Sequence, residues 1–371
     1  MINKDRVINE FLELVKIDSE TGHEREIADF LTEKLKSLGL EVIEDDAGQK
    51  IGGSAGNLIA FLPSKKEGPT VLFSAHMDTV KPGKGVVPVI ENDIIRSQGD
   101  TILGADDKSG IVAILEMLRV IQEEKINHVP IQVIFTIAEE GGLFGAKNLN
   151  PANIKGDFAY ILDSNGSAGN IVIEGPAQNH INITVKGKKA HAGLSPEEGV
   201  SAIQVAARGL ARMKLGRIDE ETTANIGIIK GGIANNIIPD KVEMDGEARS
   251  LNREKLDKQT EHMVECLEKA CQELGGEFTT KIELVYPEIK LNEQEQVVKI
   301  AMEAANNLGF PVTLTKTGGG SDANILNGYG IPTANLGCGM ENVHTSDEFI
   351  TVENLIKNPQ YLVEIIKVIS R

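Results

Sequence analysis

The chain has 371 residues, a net charge of −17 and a sequence pI near 5.0. Its 41% hydrophobic content is ordinary for a globular protein, and no lysine and arginine cluster stands out, which excludes a nucleic-acid or anionic-membrane partner. The length suggests two domains and the longest apolar runs are only strand-length, too short to cross a membrane. The start, Met-Ile-Asn-Lys-Asp-Arg, does not read as a signal peptide, and three scattered cysteines (Cys266, Cys271, Cys338) make no disulfide framework, so a cytoplasmic location is expected.

In chain order, apolar stripes at helical spacing predict helices over 6–17 and 25–38, the second closing at Gly39. Strands are expected at 40–43, 57–62 and 70–75. A helix over 107–125 carries Ile111, Ile114, Leu115, Leu118 and Ile121 on one stripe, with Asp107 or Ser109 as its cap. The runs 70–75, 131–138 and 158–162 are short, apolar and β-branched, and read as buried parallel strands. After about Gly175 the pattern changes: strand 181–186, helix 196–213, strands 224–230 and 241–248, helix 253–274 and strand 278–285. That βαββαβ order is the ferredoxin-like unit. Alternation then resumes with helix 297–308, strands 312–316 and 333–336, and helix 352–369. The expected fold is α/β: a mixed, mostly parallel sheet with helices on both faces, from residues 1–177 and 288–371, with a ferredoxin-like α+β domain inserted at 178–287.

Three of these strands end in metal-binding side chains. The first stops at His76, followed by Met77-Asp78, the second at Glu139-Glu140, and the third at Asp163. In open α/β sheets ligands bind beyond the carboxyl ends of the strands. One histidine and several carboxylates at such an edge form a mixed N/O set that suits zinc and related divalent ions. Asp78, two residues beyond His76 in extended chain, is placed to hold the imidazole through its other nitrogen. In Leu103-Gly104-Ala105-Asp106-Asp107-Lys108-Ser109-Gly110, Asp106 has two oxygens for two cations. Neighbours on a strand face opposite ways, so Glu139 and Glu140 are expected to divide proton transfer and metal binding between them. Glu341-Asn342-Val343-His344 brings a second histidine from the far end of the chain. His191, in a Gly-bounded loop, stands apart from His23, His128 and His262 in polar surroundings and from His180 on a strand. Gly231-Gly232 and Gly318–Gly320 lack the following Lys-Ser/Thr of a phosphate loop.

Together, His76-x-Asp78, Gly104-Ala105-Asp106-Asp107, Glu139-Glu140, Asp163 and His344 resemble the complete signature of the dinuclear zinc peptidases that include peptidase T. Aminoacylases and succinyl-diaminopimelate desuccinylase are relatives of that family. The Leu103–Gly110 string and Gly318-Gly319-Gly320-Ser321-Asp322-Ala323 are similar to its tripeptide-aminopeptidase branch. The resemblance implies a zinc-exopeptidase-like fold whose inserted domain is a lid, and two zinc ions, with cobalt or manganese as substitutes. It implies that Asp106 bridges the metals, that His76 and Asp163 complete one site, and that Glu140 and His344 complete the other. It further implies Glu139 as general base to a metal-bridged hydroxide, Asp78 as the partner of His76, and a cis Asp106–Asp107 peptide. In the lid it implies His191 at the oxyanion, Arg249 on a substrate carboxylate and Asn236 near the substrate. The implied activity is release of the N-terminal residue from short peptides, tripeptides foremost. An N-acyl-amino-acid amidohydrolase or carboxypeptidase with the same centre is the alternative, and the resemblance also admits a homodimer through the lid. A peptide- or metal-binding protein without activity has no need of Glu139 beside a full ligand set.

Overall fold

The computed structural model describes residues Met1–Arg371 and divides them into two compact units. The first is Met1–Glu174, Lys290–Thr317 and Ser321–Arg371, and the second is Gly175–Ile289 with Gly318–Gly320.

The first unit is built on a nine-stranded sheet. Its order is Glu41–Glu44, Leu58–Leu62, Ile131–Thr136, Val71–His76, Phe158–Ser164, Thr333–Gly337, Asn170–Gly175 and Ile289–Lys290, with Thr313–Lys316 pairing beside this path. From Ile131–Thr136 to Thr333–Gly337 the neighbours are parallel, while Glu41–Glu44 and Leu58–Leu62 pair antiparallel at one side. Every residue of Val71–His76, Ile131–Thr136 and Thr333–Gly337 is buried, so these runs carry no polar alternation. Helices Lys4–Leu14, Ala105–Glu123, Gln296–Leu308 and Val352–Ile369 pack together in one layer, with Ala105–Glu123 against the His76 strand. Parallel strands bring their carboxyl ends to one edge. His76 closes its strand there, Asp163 is the last residue but one of its own, and the turn after Thr136 carries Glu139 and Glu140.

Three local expectations need correction. The strand expected at 131–138 ends at Thr136, and Ala138 has φ +48°, so Glu139 and Glu140 sit in a turn and strand alternation does not separate them. The helix expected at 6–17 ends at Leu14. The helix expected at 196–213 is broken: Pro196–Glu198 is one 3-10 turn, Gly199 and Val200 are drawn out by a bridge from Val200 to Lys188, and only Ala202–Leu210 is α-helical. A small antiparallel sheet of Met340–Glu341, Phe349–Thr351, Ile94–Ser97 and Pro88–Glu91 adds strands beyond those expected. Its hairpin turn, Asn92-Asp93, has positive φ at both residues, as a two-residue turn requires. This sheet matters because His344 lies in the loop between its strands Met340–Glu341 and Phe349–Thr351.

The second unit has a five-stranded antiparallel sheet ordered Gly216–Arg217, Thr222–Gly231, Lys241–Ser250, Ala177–Lys186 and Glu277–Tyr286. Helices Ala202–Leu210 and Arg253–Leu274 cover one face, burying Ile181, Ile183, Val185, Met244, Ala248 and Leu267 in one core. The long helices and strands thus follow the βαββαβ order, with one extra two-residue strand at the sheet edge.

Two constraints in the first unit are open to test. A Cβ on Gly110 would lie 2.8 Å from the Leu162 carbonyl oxygen and closer still to Asp107 Oδ1, so Gly110 is what lets helix Ala105–Glu123 approach the Asp163 strand. Gly110→Ala is expected to cost about 1–3 kcal/mol, read as a lower urea midpoint at constant m-value. The Glu348 carboxylate accepts the backbone N–H groups of Leu103 (2.7 Å), Gly104 (2.7 Å) and Asp106 (3.0 Å). In Glu348→Gln an NH2 group must face one of these donors, and a loss of about 1–3 kcal/mol in the same measurement is expected.

Candidate metal centre

His76 is buried, and its two ring nitrogens have different partners. Nδ1 lies 2.8 Å from the Asp78 carbonyl oxygen and Nε2 lies 2.9 Å from Asp106 Oδ1. A carbonyl accepts only, so Nδ1 carries a proton, and a neutral ring then turns the Nε2 lone pair toward a carboxylate oxygen. Two acceptors at that distance need a proton or a cation between them. The Asp78 carboxylate, expected to hold His76, stands 3.6 Å from Nδ1 and is occupied elsewhere. It accepts the N–H of Glu139 (2.8 Å), the N–H of Glu140 (3.3 Å) and the Thr21 hydroxyl (2.7 Å). Asp78 therefore grips His76 through its backbone and fixes the Glu139-Glu140 turn through its side chain.

Asp106 follows Gly104, whose φ of +78° starts the sharp entry to the helix, and the Asp106–Asp107 peptide is cis. Its second oxygen, Oδ2, lies 3.2 Å from His344 Nε2, so each oxygen faces a different histidine. Asp107 points away from this pair: it accepts the N–H of His76 and caps the helix at the N–H of Gly110, each at 3.2 Å. Glu140 Oε1 stands 2.8 Å from His344 Nε2. His76, Asp106 and Glu140 each bring a ligand atom within 4.8 Å of the others, with Asp163 and His344 outside this trio. Asp163 is held in register by Asn335, whose side chain bonds its N–H at 3.0 Å and its carbonyl at 2.7 Å.

Electrostatics define what such a cluster lacks. Burial raises the carboxyl pKa of Asp163, and the charges of Asp106 and Glu140 raise it further. Burial likewise lifts Glu139 well above the carboxylate range, with Asp163 adding to it, and takes Asp322 to about 6. Against burial, His344 and His76 hold Asp106 low. Asp106 and Glu140 push the His344 imidazole up to about 10. Glu140 Oε1 is buried yet makes no bond of hydrogen-bond geometry, close as His344 is. An excess of buried negative charge, two imidazoles aimed at carboxylates and an orphaned carboxylate oxygen all fit divalent cations among these residues. Imidazole nitrogen with carboxylate oxygen is a donor set that zinc accepts.

Sequence reasoning missed several acids and amides here. Glu348 and Asn335 are two of them. Glu24 accepts the N–H groups of Gly22 (2.8 Å) and Ala138 (3.2 Å), steadying the turn from the far side. Asp322 accepts the Thr136 hydroxyl at 2.6 Å, with its other oxygen buried and unpaired. Its place in the Gly318–Ala323 string was visible, but the string says nothing of burial beside Glu139.

The remaining expected site residues lie in the second unit. His191 is exposed, and its Nδ1 accepts the N–H groups of Gly193 and Leu194, each at 3.2 Å, which leaves the proton on Nε2. Asn236 is exposed in the adjoining loop, where its carbonyl accepts the Ala192 N–H at 3.0 Å. Arg249, read from sequence as an isolated arginine, is bound along one edge by both carboxylate oxygens of Glu247.

Residues 72–368 match the model of peptidase family M20/M25/M40. The chain superposes on an aminopeptidase PepT from Bacillus cereus with a TM-score of 0.93 at 47% identity, covering all of both chains. A tripeptidase from Staphylococcus aureus gives 0.95 at 46% identity, again over all of both chains. A peptidase T from Geobacillus kaustophilus is 28% identical over 99% of each sequence. With a carboxylate between two histidines at the edge of this fold, and a family model that spans most of the chain, the protein belongs to peptidase family M20/M25/M40.

Proposed function

We propose that this hydrolase is a dinuclear zinc aminopeptidase of the cytoplasm that releases the N-terminal residue of short peptides, tripeptides foremost. The observation that carries the reading is Asp106, with Oδ1 beside His76 Nε2 and Oδ2 beside His344 Nε2. A carboxylate so placed suits a bridge between two cations. His76 and Asp163 would complete one site, and Glu140 and His344 the other. The aminopeptidase and tripeptidase at 46–47% identity support the choice of substrate.

Bound divalent ions would lower the pKa of the attacking water and polarise the scissile carbonyl. Glu139 accepts the proton of that water on a carboxylate oxygen and returns it to the leaving amine, so the proton count closes within one turnover. Its backbone is pinned by Asp78, which keeps the carboxylate in place while the proton moves. His191, whose proton is on Nε2, donates that hydrogen bond to the oxyanion as it forms. Arg249 grips the carboxylate at the peptide's C-terminus, and Asn236 adds a polar contact to the substrate.

Purified protein saturated with zinc is expected to hold about two metals per chain and to release the first residue of free tripeptides, with N-blocked peptides resistant. Glu139→Gln should keep both metals and lower kcat by about 10²–10⁴-fold, whereas Glu140→Gln should lower metal affinity. Full activity with one metal per chain, or two mutants that behave alike, rules out this assignment of roles.

A further inference from the structure

We propose that Glu247, fixed by Gln178, is a positioning residue that orients the Arg249 guanidinium for its carboxylate ligand; this rests on the reading of Arg249 as the grip on the peptide's C-terminus. Along Lys241–Ser250, Val242, Met244, Ala248 and Ser250 are buried on the helix-covered face. Glu243, Asp245, Glu247 and Arg249 alternate with them on the opposite face. Arg249 and Glu247 are thus two apart on one strand, side chain beside side chain. Arg249 Nε donates to Glu247 Oε1 and Arg249 Nη2 to Glu247 Oε2, each at 3.0 Å. The pair is bidentate, the geometry in which a guanidinium loses its rotational freedom.

Glu247 does not move freely to follow the arginine. Gln178, cross-strand partner of Arg249, donates from Nε2 to Glu247 Oε2 at 2.7 Å. The three side chains stand on two adjacent strands of a regular ladder, so their anchor points are set by the sheet. Gln178 also pairs with Tyr286 of the next strand. Tyr286 in turn packs so closely on Gly320 that a Cβ there would come within 2.6 Å of its ring and hydroxyl.

A guanidinium has five N–H donors in a planar fork, and Glu247 takes one on Nε and one on Nη2. The bond leaves the end of the fork, Nη1 with the second proton of Nη2, as the edge that receives a second carboxylate. Glu247 therefore selects which edge the peptide meets and holds it before the peptide arrives. It also balances the arginine's charge, so recognition depends on the fit of two parallel hydrogen bonds more than on net attraction. A free C-terminal carboxylate satisfies both bonds; a C-terminal amide, with one acceptor oxygen, does not.

The test compares tri-alanine with tri-alanine amide on the zinc-loaded enzyme, for native protein and for Glu247→Gln, Gln178→Met and Arg249→Lys. Glu247→Gln is expected to raise KM for tri-alanine about tenfold, with a smaller change in kcat. The kcat/KM preference for the free acid over the amide should fall by a similar factor. Gln178→Met should act in the same direction and less strongly, which guards against one variant that folds poorly. Arg249→Lys should abolish the preference. If it does so while both Glu247→Gln and Gln178→Met keep the native preference, Arg249 grips the carboxylate without help and the positioning role is overturned. A lower KM in Glu247→Gln overturns it too, since Glu247 would then be competing with substrate. If Arg249→Lys leaves the preference intact, the grip itself is disproved, and the role of Glu247 with it.

Discussion

Acid crowding at one edge of a buried sheet is the constraint on which this structure turns. Asp106, Glu139, Glu140, Asp163 and Asp322 converge there, outnumbering the two histidines His76 and His344 that face them, and burial raises the cost of every uncompensated charge. Most parts of the first unit can be understood as holding that cluster together against its own repulsion. Parallel strands deliver it to one edge, and a layer of helices packs behind the His76 strand. The same repulsion that would loosen the site is what makes it attractive to a divalent cation, so stability and metal binding are coupled through one electrostatic imbalance.

A second population of acids has a different task. Asp78, Asp107, Glu24 and Glu348 accept backbone N–H groups rather than face the centre of the cluster. Each closes a turn whose donors would otherwise be buried without acceptors. A carboxylate meets two or three such donors at once, which no neutral side chain of this size does as well. Glu348 links the loop that carries His344 to the loop that carries Asp106, so a ligand of one expected metal site is braced against the bridge to the other.

The division between these two populations was only partly legible in the sequence. Apolar runs ending in His76, Glu139 and Asp163 were readable because buried parallel strands lack polar alternation. Helix 253–274 was readable to the residue because Asn252 caps it and Gly275 ends it. Spacing placed Asp78 beside His76 but did not show that its carbonyl makes the close contact while its carboxylate holds the Glu139-Glu140 turn, because spacing tells which side a residue can reach, not which of several partners competes for it. The turn of Glu139 and Glu140 was hidden by the apolar Ile137-Ala138, which continue the strand's composition after its geometry has ended. The small sheet around His344 was hidden by its short strands, although Asn92-Asp93 marked one hairpin. Glu24 and Asn335 gave no signal because Ala138 and Asp163, which they hold, lie far along the chain, and the string around Asp322 carried no sign of its burial.

Recognition and chemistry place different demands on a scaffold, and the two units answer them differently. The proton transfer proposed for Glu139 needs a carboxylate of high proton affinity, which requires burial and acidic neighbours. A grip on a peptide carboxylate needs the reverse: a cation kept charged, partly solvated and aimed. Burial works against the charge of Arg249, and the hydrogen bond and charge of Glu247, together with the other nearby groups, outweigh it. An open antiparallel face supplies that setting, with each polar side chain supported by the next strand. Glu139 is tuned by burial and repulsion and Arg249 by pairing, and the zwitterionic short peptide proposed as substrate is one for which both settings are useful at once.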